Sequence, residues 1–99
     1  MKHHISSIVS IEQDAIVSKI LTHKAQITAF GFDAGQSIQT HTSVKEARAY
    51  VLEGCIVFTI DDQIYEVMAG EYVELPANIP HALYAKQQSK MLLVMKEEQ

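Results

Sequence analysis

Gly70-Glu71-Tyr72-Val73-Glu74-Leu75-Pro76-Ala77-Asn78-Ile79-Pro80-His81 is the stretch on which the reading of the fold turns. Glu71 to Leu75 alternates polar and apolar residues, the period of a strand with one buried face. Pro76 and Pro80 then fix two φ angles and remove two backbone donors, so the residues between them form a loop. Ala82-Leu83-Tyr84-Ala85 returns to strand-forming composition, with His81 at its start.

The same grammar continues outward. Ile56 to Ile60 is β-branched and aromatic, Asp61-Asp62 turns, and Gln63 to Met68 alternates until Ala69-Gly70, which reads as a hairpin. Ala49 to Leu52 is a further strand ending at Glu53-Gly54, and residues 26 to 32 another, closed by Asp33-Ala34-Gly35. Met91 to Met95 is the last. Many short strands punctuated this often imply an all-β sandwich or barrel. In residues 1–22, Ile5, Ile8, Val9, Ile16, Ile20 and Leu21 fit a helical stripe loosely, but Ile16-Val17 and Ile20-Leu21 suit strands. The segment is expected to be extended and to pair onto a sheet edge. With no internal repeat or linker, residues 1–99 read as one domain.

Composition narrows the partners. The chain has 99 residues, 47% of them hydrophobic, enough for one core. Net charge is −4 and no basic cluster exceeds a pair, which argues against a nucleic-acid partner. The longest apolar run, Met91 to Met95, is far too short to span a bilayer, and Lys2-His3-His4 is followed by no apolar leader core. Neither a membrane association nor a signal peptide is expected. Cys55 is the only cysteine, so no intrachain disulfide can form; a reducing cytoplasm and a buried, unreactive thiol are the expectation.

Two segments resemble the paired motifs of the cupin superfamily. The first family pattern is G-x5-H-x-H followed, after a short gap, by E-x6-G; Gly35, His41 and Tyr50-Val51-Leu52-Glu53-Gly54 match its frame. The second is G-x5-P-x-G-x2-H-x3-N; Gly70, Pro76 and His81 match in register, with Asn78 at a glycine position whose left-handed conformation asparagine tolerates. The resemblance implies a double-stranded β-helix, or jelly roll, of the small single-domain conserved-barrel type. It also implies a metal site of three histidines and a glutamate, of which this chain keeps His41 and His81. The second histidine falls on Ser43, the glutamate on Ala47 and the closing asparagine on Ala85. Glu46 neighbours the missing carboxylate but would point to the opposite face unless a bulge re-aims it.

His41 and His81 are the candidate metal ligands, although stable sites supply at least three protein ligands. If Ala47 faces inward, so does Ala49, and either Met91, Leu93 and Met95 or Leu92 and Val94 line the barrel. The expected pocket is then mainly apolar, formed by His41, His81, Ala47, Ala49, Met91 and Met95, and suited to a small apolar or aromatic molecule. Three functions follow. The first is a small-molecule-binding cupin with a degenerate metal motif. The second is a metal-dependent dioxygenase or isomerase using His41 and His81 with a divalent transition metal. The third is a structural or regulatory homodimer with a vestigial pocket. No cofactor is required by the first, and no catalytic residue is assigned. Arg48, Tyr50 and Leu52 face away from the barrel, and a sheet apolar on both faces has both covered, here by the N-terminal segment or a partner subunit. With the resemblance, that pattern implies a homodimer. His3, His4 and His23 are expected to be exposed, and Lys96-Glu97-Glu98-Gln99 to be a solvated tail.

Overall fold

The computed structural model describes residues 1–22 and 26–96, and within them the chain forms nine strands. They are β1 (Ile16–Thr22), β2 (Ile27–Phe32), β3 (Ser37–His41), β4 (Ala47–Glu53), β5 (Cys55–Ile60), β6 (Gln63–Met68), β7 (Tyr72–Leu75), β8 (His81–Ala85) and β9 (Ser89–Met95). A single 3-10 turn spans Ile5–Ser7. His23 and residues 97–99 lie outside the described residues. All pairings are antiparallel, in a five-stranded sheet ordered β1-β2-β9-β4-β7 and a four-stranded sheet ordered β3-β8-β5-β6. The sheets face each other as a jelly-roll barrel. Among the described residues no helix is long and apolar enough to cross a membrane.

The period of two decides what each strand buries. Ala47, Ala49 and Val51 of β4 are buried, opposite Met95, Leu93 and Met91 of β9. The inward set on β9 is therefore Met91, Leu93 and Met95, while Leu92 and Val94 face outward. Phe32, Ile56, Phe58, Val67 and Leu83 complete the core. The β5–β6 hairpin closes through Asp61-Asp62, with Ile60 paired to Gln63 and Asp61 at φ 54. Asn78 takes φ 63, the left-handed conformation that suits asparagine.

Two glycines are required by close approach. Gly54 lies between β4 and β5 at φ 83, and a Cβ there would collide with the Gln88 carbonyl and with Ser89. Ser89 is fully buried; its Oγ accepts the Cys55 N–H at 3.0 Å and lies 2.7 Å from the Gln87 carbonyl, which takes its proton. Cys55 is buried as well, and burial pushes its thiol pKa up, with the Glu66 carboxylate at 3.6 Å adding to the effect. Gly31 faces outward, and a Cβ on it would strike the Ser10 carbonyl.

That contact shows where the N-terminal segment goes. It crosses the outer face of the five-stranded sheet over β2, burying Val9 and the outward-facing Ala29. Lys90 holds the Ser6 carbonyl, and the Asp33 carboxylate accepts the Asp14 N–H at 2.7 Å and Gln88 Nε2 at 3.1 Å. These bonds hold the Asp33 carboxyl below the ordinary aspartate range. β1 then forms one edge of the same sheet.

Candidate functional site

At one end of the barrel two loops cross between the sheets, residues 42–46 from β3 to β4 and residues 76–80 from β7 to β8. They are tied by the Asn78 N–H, which donates to the Ser43 carbonyl at 2.7 Å. His41 ends β3 and His81 begins β8, and the two are paired residues across the ladder. Ile38 pairs with Leu83 on the same two strands, so three steps on β3 oppose two on β8. In a regular strand Ile38 and His41 would face opposite sides. The extra residue of this bulge turns both inward, as bulges beside functional sites do.

The imidazoles meet at 4.3 Å between ring centroids, inclined at 66°. His81 is buried and His41 exposed, which sets the pair at the barrel mouth. Each ring is oriented by a carbonyl two residues back: His41 Nδ1 donates to Gln39 at 2.9 Å, and His81 Nδ1 to Ile79 at 3.3 Å. Burial pushes the His81 pKa below the ordinary imidazole value, and the neighbouring His41 pushes the same way against the Ile79 carbonyl. His81 is accordingly neutral at neutral pH. Around the pair, Ile60 lies opposite His81 on β5, and Ile38 and Ile79 pack against the core.

The residues at the other family positions add no metal donor to the histidines. Ser43 Oγ accepts the Lys45 N–H at 3.2 Å, a local turn bond. Ala47 sits inward between Leu75 and Met95 and brings no donor. The Glu46 carboxylate turns outward and pairs with Lys96 at 3.2 Å. Among the described residues no group of three or more His, Cys, Asp or Glu comes together. Two imidazoles fall short of the three or four protein ligands that a resident transition metal takes, so the donor set does not fit one. Ala47, Ala49 and Met91 belong to the packed core, with Met95 against it, while His41 and His81 adjoin each other.

A concavity of about 550 Å3 lies on the outer face of the five-stranded sheet, away from the histidines, lined chiefly by Glu46, Arg48, Tyr50, Glu74, Val94 and Lys96. Beside it Tyr50 and Tyr72 meet at 5.1 Å, and the Arg48 guanidinium sits 5.6 Å from the centre of the Tyr72 ring. Sequence reasoning did not find this groove. Its signal was the outward set of Arg48 and Tyr50, opposite the inward alanines.

The cupin domain family model matches residues 29–95, about two thirds of the chain, and the protein belongs to that family. A conserved protein of unknown function from Streptococcus pyogenes is 42% identical, over 91% of this chain and 82% of that one, with a TM-score of 0.84. A cupin 2 conserved barrel domain protein from Leptotrichia buccalis is 33% identical, over 94% of this chain and 46% of its own, with a TM-score of 0.89. The salicylate 1,2-dioxygenase of Pseudoaminobacter salicylatoxidans shares the fold at 18% identity, over 72% of this chain and 19% of its own, with a TM-score of 0.69. No curated protein matches.

Proposed function

We propose that the chain is a metal-poor cupin that binds a small apolar or aromatic molecule at the barrel mouth, with His41 and His81 as its polar anchors. One observation carries the reading. A bulge in β3 brings two carbonyl-oriented imidazoles together at the mouth, while the remaining metal positions are Ser43 and Ala47. The dioxygenase reading needs at least a facial triad of ligands, and the described residues supply two histidines. The single buried Cys55 suits a reducing cytoplasm.

Binding is tested by screening apolar and aromatic fragments against the protein lacking residues 1–4, with elemental metal content measured on the same sample. His81→Ala is expected to weaken any mouth-bound fragment by about tenfold, the worth of one hydrogen bond left unmade. Its far-UV circular dichroism should remain that of a β-barrel. Near-stoichiometric metal that disappears in a His41→Ala, His81→Ala protein would replace this reading with the enzymatic one.

A homodimer is a second reading, favoured by the half of the outer sheet face that the N-terminal segment leaves open. Tyr72 is half exposed there beside Tyr50 and Arg48. Equilibrium sedimentation should give twice the 11.1 kDa chain mass, and Tyr72→Lys should return it to one chain. A single 11.1 kDa species in the unaltered protein would sink this reading.

A further inference from the structure

We infer that the molecule bound at the mouth is a neutral aromatic alcohol of the phenol class, whose hydroxyl donates to His81 Nε2, an imidazole nitrogen that can only accept. The inference deepens the binding reading above and rests on it. A carbonyl oxygen accepts and never donates, so the contacts of His41 Nδ1 with Gln39 and of His81 Nδ1 with Ile79 place the proton of each neutral ring on Nδ1. Nε2 of each ring is then a lone-pair acceptor. Among the described residues no buried side-chain nitrogen or oxygen lacks a partner, and no protein group bonds His81 Nε2, so that atom opens to the mouth.

An acceptor without a partner selects what can sit on it. A carboxylate, ketone or ether would set lone pair against lone pair, whereas a hydroxyl supplies the missing proton. An ammonium group also donates, but it would need a carboxylate for its charge, and Glu46 is turned outward to Lys96. A phosphate or carboxylate ligand would need a free cation, and the lysines of the adjoining loop and strand end are engaged. Lys45 Nζ holds Gln26 Oε1 at 2.8 Å, and Lys96 holds Glu46. Ile38 and Ile79, partly buried against the core, leave apolar surface on the side of the histidines, which suits an aromatic ring. A phenolic hydroxyl on such a ring satisfies both demands.

The test uses the full chain at pH 8, where ordinary imidazoles are neutral, in two parts. Long-range 1H–15N spectra of the histidine rings read the tautomer, and the expected result is Nδ1–H for both His41 and His81. Phenol, anisole and benzoate are then titrated while mouth and core resonances are followed. Phenol should bind at least tenfold more tightly than its methyl ether, benzoate should not perturb the mouth, and His41→Ala with His81→Ala should erase the gap between phenol and anisole. An Nε2–H tautomer at His81, or anisole binding as tightly as phenol, overturns the donor inference while leaving a binding barrel. No mouth perturbation by phenol or anisole overturns the inference together with the binding reading.

Discussion

Replacing Ser43 by His and Ala47 by Glu is expected to turn a protein that holds divalent metal weakly into one that retains an equivalent through desalting. The two surviving histidines already point inward from paired strands, with Nδ1 of each fixed by a carbonyl. That outer bond is what orients metal-ligating imidazoles. Ala47 opens β4 on the inner face at the same end of the barrel, so a carboxylate there starts on the correct side. Structural zinc sites with four ligands are worth about 10–16 kcal/mol, so two added donors should tighten binding by at least about a thousandfold. The glutamate is larger than the alanine it replaces, and crowding Leu75 and Met95 should cost about 1–3 kcal/mol of stability. Competition with a chromophoric chelator, using zinc and manganese, reads the gain. If the double variant binds no better than the parent, positions 43 and 47 do not face the histidine pair.

Gly54→Ala is expected to lower the melting temperature by roughly 15–30 °C, about 4 kcal/mol in a domain of this size, or to prevent folding. Two costs add there. The φ of 83° is one that L-residues avoid, at about 1–2 kcal/mol. The added Cβ would also strike the Gln88 carbonyl and Ser89, whose Oγ is held by the buried Cys55 N–H that joins the start of β5 to β9. Gly35→Ala separates the costs: its φ is 88°, but nothing lies within 4 Å of the new methyl, so only the backbone cost should appear. Thermal denaturation of the two variants beside the parent decides it. Equal losses would mean that the contact with Gln88 and Ser89 is readily relieved.

The fold was legible wherever a strand has one wet face and one dry face. Gln63–Met68 was read at its observed bounds, and the strands at Ile56, Glu71, Ala82 and Met91 lay within two residues of theirs. β3 was not visible as a pattern, because Ser37-Ile38-Gln39-Thr40-His41 carries one aliphatic residue on an exposed edge strand. Its existence came from the cupin frame around His41. The inward turn of His41 needed the bulge, which depends on how β3 pairs with β8 and leaves no mark in β3 alone. Glu46 behaved as strand alternation demands, but its partner Lys96 is fifty residues away and only the ladder of β4 with β9 brings them together. The crossing of Ser10 over Gly31 was equally hidden, since a lone glycine in a strand signals some close approach without naming what approaches.

The position of β9 between β2 and β4 bears on how the protein is born. The partners of β9, such as Phe32 for Ser89 and Ala47 for Met95, lie far upstream in the chain and must wait for it. During synthesis β2 and β4 emerge with their apolar faces complete and no central strand to dock against. Until Ser89–Met95 leaves the ribosome, the larger sheet cannot assemble, whereas the β5–β6 hairpin already can. Emerging chains of this kind expose apolar surface and unpaired strand edges, and a stalled or truncated product ending before β9 should be a sticky, protease-sensitive species rather than a smaller folded one.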